Sequence, residues 1–512
     1  MKKYIYLFIL LATSAAFYSC EKDLPQFFTY ESYDYAAIDE NGGNWDPVLL
    51  NSSNDISIEA PMDVNSAAYQ QEIAEVKSRI SKMTSEEKED VIYWTNNPVN
   101  RWNEIALELI AKYNLIPGPN DDGGYTLPNP ANPEGPSPFP FSHPPYASRA
   151  LAYLSVAQYD GLIVAWKNKF DYKRPAPYAI DETINYAYTK NNIPSYPSDG
   201  AVIASVSKEI LSVMFPLEKE YLQQKEEEHL NSLLLAGGNV PSDLTAGQYI
   251  GQEISKLALA RAATDGMKNA QAPKAVSDSI KNAAFQRFGW QWDNLELPTR
   301  PVGLTPLFGK VKMWNIARVE DVRPIPPPSL TSKEFLDDVE ILKDYANNVT
   351  TERRRIANFW QDGLGTYTPP GHWNRFAIEF IVKYQLNPLR SARTLAYLNM
   401  AMMDAGISCW DAKYYYHYPR PIQMIPGFKT IAGTPNFPSY TSGHSVFSAA
   451  GAEVLAYIFP PEATKVRKWA EEAAISRVYG GIHWTFDAKI GTDQGKKVAG
   501  YTINVAKADG AD

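Results

Sequence analysis

Apolar positions recur at spacings of three and four along most of this chain. Ile105, Ala106, Leu109 and Ile110 form one such stripe, and Phe376, Ala377, Phe380 and Ile381 another. That is the period of an amphipathic α-helix with one face turned to a core. Residues 445–458, SVFSAAGAEVLAYI, are apolar nearly all round, which predicts a helix buried on every side. No long alternating run argues for strands. The pattern predicts a mainly α fold of two packed helical bundles.

Repetition supports two bundles. WNEIALELIAKYNLIP at 102–117 is echoed by WNRFAIEFIVKYQLNP at 373–388, and upstream TSEEKEDVIYW is echoed by TTERRRIANFW. Downstream, LAYL at 151–154 recurs at 395–398, Asp160 matches Asp404, and PSY at 194–196 recurs at 438–440; Phe215-Pro216 matches Phe459-Pro460. These downstream matches share an offset of 244 residues, against 271 for the first pair. The difference of 27 is an insertion in the first copy, where the Pro-, Gly- and Asn-rich stretch 117–145 reads as a loop. The expected organisation is an N-terminal extension over 21–64, a first bundle over 65–266, a connector over 267–334 and a second bundle over 335–512. Approximate two-fold symmetry relates the bundles.

At 512 residues the chain exceeds the usual size of one core. A net charge of −9 argues against a nucleic-acid surface, while leaving room for a local basic pocket. Residues 1–20 read as a targeting segment: Lys2-Lys3, an apolar run from Ile5 to Ala16, then Cys20 and the charged Glu21-Lys22-Asp23. This resembles a bacterial lipoprotein signal with Cys20 as the lipidated residue. The expectation is an exported protein anchored to an envelope membrane. Cys409 is the other cysteine of the two, so a lipidated Cys20 leaves no intramolecular disulfide.

Candidate chemistry gathers in the second copy. It reads K-x6-R-P at Lys413 and Arg420, S-G-H at Ser442, Gly443 and His444, and S-R-x5-H-x3-D through Arg477, His483 and Asp487. Arg420 and Arg477 offer planar forks and Lys413 a compact charge, all suited to oxyanion oxygens. Ser442-Gly443-His444 precedes the apolar helix, whose first N–H groups would face an anion. His483 and Asp487, four apart, would share a helix face; the carboxylate would hold one ring nitrogen and leave the other free. His444 is then the natural general acid or base.

The first copy is an internal control. At the 244-residue offset Gly443 becomes Asp199, His444 becomes Gly200, Arg477 becomes Leu233 and His483 becomes Asn239, while Ser198 and Asp243 persist. A cation pair is read at Lys167 and Arg174, which also stand as K-x6-R-P. Residues needed only for the fold would be kept in both copies, so the first copy is expected to be inert.

The three-part motif resembles that of the type 2 phosphatidic acid phosphatase and vanadium-dependent haloperoxidase superfamily. DAGISCW at 404–410, FPSYTSGHS at 437–445 and SRVYGGIHW at 476–484 are most similar to the haloperoxidase-like branch. The resemblance implies a two-bundle helical fold with one active half. It implies Lys413, Arg420, Ser442, Gly443 and Arg477 as phosphate or vanadate donors and His444 as acid/base. His483, oriented by Asp487, is implied as vanadium ligand or phosphate-attacking nucleophile. Phe437 falls where halide preference differs and is similar to the chloride-oxidising type. Thr441 departs from the Pro common before S-G-H. Two enzymes are therefore implied: a haloperoxidase with vanadate as cofactor, acting on peroxide and halide, or a cofactor-free acid phosphatase acting on phosphate esters through a phosphohistidine at His483. A third reading is a surface lipoprotein that binds without turnover, against which the two histidines argue.

Overall fold

The computed structural model describes residues 33–94, 97–115, 141–187, 191–295 and 302–511. The leader with Cys20 and most of the expected loop over 117–145 lie outside them. All regular structure among the described residues is helical.

The first half comprises α1 (Ala67–Ser81), α2 (Ser85–Trp94), α3 (Pro98–Tyr113), α4 (Pro144–Tyr172), the short α5 (Pro177–Ile180), α6 (Asp199–Met214), α7 (Lys219–Leu235) and α8 (Pro241–Thr264). A further helix, α9 (Lys274–Phe288), lies within the stretch read as connector. The second half comprises α10 (Lys333–Asn347), α11 (Thr351–Phe359), α12 (Thr368–Lys383), α13 (Pro388–Tyr416), the short α14 (Pro421–Met424), α15 (Gly443–Ile458), α16 (Ala463–Tyr479) and α17 (Thr485–Ala506). Pro at the first turn of α3, α4, α12 and α13 starts helices where no N–H is needed. Ser442 and Ser198 cap α15 and α6 by accepting from backbone N–H groups.

Element lengths recur between the halves. α4 and α13 each have 29 residues, α6 and α15 have 16, and α7 and α16 have 17. Their starts (Pro144 and Pro388, Asp199 and Gly443, Lys219 and Ala463) stand 244 residues apart. α4 lies along α13, and one continuous hydrophobic core runs through both halves, from Trp102, Leu154 and Trp166 to Trp373, Leu398 and Trp410. Fully burying side chains of this size stabilises by roughly 1.5–3 kcal/mol each before chain entropy is counted. A buried amide network of Asn103, Asn374 and Asn399 with Ser155 ties the long helices together inside that core.

The matched aspartates Asp160 and Asp404 hold the non-periodic segments. Asp160 accepts backbone N–H bonds from Val48 and Leu49 at 2.8 and 2.6 Å, pinning the N-terminal extension. Asp404 accepts from Trp314 and Asn315 at 2.7 and 2.9 Å, pinning the connector. Burial pushes these carboxyls up, to about 6 and about 7 respectively. The described part of the extension is therefore bound to the bundles; Asp39 also pairs with Arg390 at 2.7 Å.

Candidate active site

The end of α13 turns inward and places Lys413 in its last helical turn, fully buried. Its Nζ donates to the carbonyls of Pro438, Ser439 and Thr441 at 3.0, 2.9 and 2.5 Å. Arg420, also buried, precedes α14 and donates to the carbonyls of Phe437 (3.0 Å) and Ile482 (2.6 Å). Arg477, near the end of α16, donates to Ser476 Oγ at 2.9 Å and to the Ala357 carbonyl. Among the described residues none of the three has a carboxylate at ion-pair distance. Desolvation accordingly pushes all three down, Lys413 to about 8, Arg420 to about 9 and Arg477 to about 10. Phe437 packs against this cluster, its ring centroid 5.0 Å from Lys413 Nζ and 5.2 Å from the Arg420 guanidinium carbon. Dipoles bond directly to the three buried cations, while Asp487 acts on Lys413 and Arg420 and Asp362 on Arg477 only from beyond ion-pair distance, which leaves the site short of negative charge.

The histidines face that cluster. His483 Nδ1 stands 2.9 Å from Asp487 Oδ2, which also accepts from Ser439 Oγ (2.5 Å) and the Trp484 N–H (3.1 Å). The expectation of a shared helix face is corrected in one respect: α17 begins at Thr485, so His483 lies before the helix and Asp487 in its first turn. Burial, and then the charges of Arg420, Lys413, His444 and Arg477, hold His483 well below the usual imidazole range. These groups therefore lie within electrostatic reach of one another. His444 is likewise pushed well down, by burial and by Arg477, and its Nε2 is buried with no partner. Asp487 is raised by burial to about 7. Beside Gly443, at the start of α15, a Cβ would meet nothing within 4 Å, so open space lies next to the first residue of that helix.

Residues 394–509, which include all of these groups, match the family model of the PAP2 superfamily. That stretch resembles a PAP2 superfamily domain. The fold is that of the vanadium-dependent haloperoxidases. A bacterial vanadium-dependent iodoperoxidase superposes with a TM-score of 0.59 at 22% identity, over 79% of this chain and 96% of that one. A holo-type bacterial vanadium-dependent chloroperoxidase gives 0.50 at 14% identity, over 76% of this chain and 96% of that one. No curated protein matches the chain in sequence.

Outside the PAP2 domain the first bundle repeats the frame with its charges closed. Asp243 accepts from the Val240 N–H and Ser195 Oγ as Asp487 does from Trp484 and Ser439, but its cation partner is Arg174. The reading of Lys167 as the surviving lysine is corrected: it is half-buried and pairs with Asp171. Lys169, at the 244-residue offset, is the buried counterpart of Lys413, donating to the Pro194 carbonyl at 2.6 Å and pairing with Asp199 at 2.9 Å. Asp199 stands where the PAP2 domain has Gly443. Leu233, in place of Arg477, fills the space over Gly200, where a Cβ would lie 2.7 Å from Leu Cδ2. Internal carboxylates and a leucine thus occupy the equivalent of the open pocket.

The structure adds groups that sequence spacing does not mark. Ser439 joins His483 to Asp487. The segment after α11 walls the site: the Trp360 and Gln361 carbonyls act on His444, and Asp362 holds His372 Nδ1 at 3.0 Å. The His372–Asp362 pair is separated by only ten residues, yet no motif joins a loop acid to a helix-borne imidazole.

Proposed function

We propose that the chain is an exported, membrane-anchored vanadium-dependent haloperoxidase-like enzyme that oxidises halide with peroxide, its body held at the envelope by lipidated Cys20. The observation that carries this reading is the buried trio Lys413, Arg420 and Arg477, with no carboxylate at ion-pair distance among the described residues. Desolvating each cation costs several kcal/mol, and a tetrahedral oxyanion would offset that cost. The residues fit vanadate: three buried cations act on His483, open space lies beside Gly443, and no protein group takes the His483 Nε2 among the described residues.

Arg420 and Arg477 would hold the oxyanion's oxygens, Lys413, whose three N–H groups already serve carbonyls, would act through its charge, and Ser442 and Gly443 would add shorter-range donors. His483 would present Nε2 to the metal, its tautomer fixed by Asp487 and, behind it, Ser439. Vanadate supplies the Lewis acidity that makes peroxide reactive toward halide. His444, neutral in the empty pocket, accepts a proton at Nε2 from the incoming peroxide. Phe437 and Trp410, 4.9 Å apart between ring centroids, give the pocket an apolar wall on which a weakly hydrated halide could rest.

The same clamp suits phosphate, and His483 with Asp487 behind it is arranged as a nucleophile would be. In that phosphatase chemistry His483 Nε2 would bond to phosphorus as the P–O bond breaks, and His444 would have to arrive protonated to give the leaving oxygen its proton. The likeness in fold to the vanadium-dependent haloperoxidases sets the haloperoxidase reading first. Purified protein loaded with orthovanadate should oxidise halide with peroxide and hydrolyse p-nitrophenyl phosphate poorly. Hydrolysis without halide oxidation would reverse the order, and activity in neither assay would favour binding without turnover.

A further inference from the structure

His372 lies at the edge of the site, on α12, and no role above uses it. It is buried, stacked on Trp360 at 4.8 Å between ring centroids and boxed by Phe376 at 4.9 Å and Phe359 at 5.3 Å. Both oxygens of Asp362 approach its Nδ1, at 3.0 and 3.2 Å. Asp362 reaches back from a left-handed backbone turn, φ 43°, a conformation that Asp tolerates better than most residues. Nε2 makes no hydrogen bond among the described residues.

Three contacts tie this pair to the active site. The carbonyls of Trp360 and Gln361, the two residues before Asp362, act on the His444 ring. Arg477 donates to the carbonyl of Ala357 on the same segment, and the charge of Asp362 reaches Arg477. The charge of His372 reaches His444. One short segment therefore touches the acid/base histidine, one clamp arginine and a second histidine–carboxylate pair.

The first bundle shows what a merely packed histidine needs. His229 stacks on Trp94 at 4.3 Å, accepts from the Trp102 indole at 3.2 Å and has no acid partner. Filling the space beside the tryptophan requires no carboxylate, yet the second bundle has one.

We propose that His372, held by Asp362, is the proton outlet for His444. His444 has no carboxylate and sits beside Arg477, so it takes a proton at Nε2 but holds it poorly. The proton passes through water to His372 Nε2. There the imidazolium is balanced by Asp362 at Nδ1–H until the proton leaves to solvent, and His444 returns neutral. Peroxide, halide and one proton give hypohalous acid and water, so the same route later carries back from solvent the protons that the product and the departing water take up. His372 touches no reacting atom; it is a positioning residue acting through His444. The charged and titratable groups around it are Asp362 and Tyr367 from the loop, Arg375 on its own helix, His444 on α15, and Arg477 and Glu472 on α16, the last bonded to the Trp360 indole at 3.0 Å.

This inference rests on the haloperoxidase reading, and its test separates the two. Full-length protein, wild type and His372→Gln, is loaded with orthovanadate and assayed for peroxide-dependent halide oxidation across pH and imidazole-buffer concentration. The expected result is a kcat reduced about tenfold in the variant and restored by added imidazole, with orthovanadate affinity unchanged. Asp362→Asn should shift the limb of the pH profile and remove the downfield Nδ1 proton from the NMR spectrum of the vanadate-free protein. A His372→Gln profile identical to wild type, or a loss that imidazole does not restore, would overturn the relay alone. A wild type without halide oxidation would overturn the parent reading as well.

Discussion

His483 and His444 are assigned different tasks, and single substitutions separate them. His483→Ala should abolish halide oxidation and weaken orthovanadate binding strongly. His444→Ala should lower turnover by about 100-fold or more while leaving orthovanadate affinity within a few-fold; calorimetry beside the activity assay reads both. Lys413 gives the pH dependence. Burial depresses its ammonium to about 8, and a bound anion favours its protonated form. Binding therefore takes up a proton above pH 8, and affinity should fall as pH rises through that value. Titration in buffers of different ionisation enthalpy would show the uptake, and an affinity that rises with pH would contradict it. At this scale the ordered cations and histidines were legible because their spacings are fixed by one local frame. Ser439 was not, since its role depends on Asp487, 48 residues further on. Lys167 was mistaken for Lys169 because a K-x6-R-P string does not say which side of a helix end faces inward.

The starts of α15 and α6 can be compared directly. Gly443→Ala adds a methyl into open space and removes a glycine from a helix, so stability should hold or rise by up to ~1 kcal/mol. The same methyl intrudes on the anion seat, and orthovanadate affinity should fall about tenfold. Gly200→Ala, with Leu233 in the way, should destabilise by roughly 1–3 kcal/mol without touching activity. Thermal melts and binding curves on the two variants read this crossing pattern. Helix positions followed from the three-four period, including the buried α15. His483 escaped its expected helix because the capping bond from the Trp484 N–H to Asp487 starts α17 two residues later. The extension and connector could not be read by period at all, because buried Asp160 and Asp404 capture their backbones one N–H at a time.

For the whole molecule, the account reduces to two similar frames of which one is open. The first bundle neutralises Lys169 with Asp199 and Arg174 with Asp243; the PAP2 domain leaves Lys413, Arg420 and Arg477 to an external anion. Orthovanadate or phosphate should therefore raise the melting temperature, the rise growing with the logarithm of free ligand once it exceeds Kd, and His483→Ala should blunt that rise. The most direct measurement is halide-oxidising activity followed as orthovanadate is added to a known concentration of metal-free protein. Activity that climbs linearly and breaks at one equivalent per chain is the predicted result. A break at two equivalents, or halide oxidation that never appears, would contradict the account.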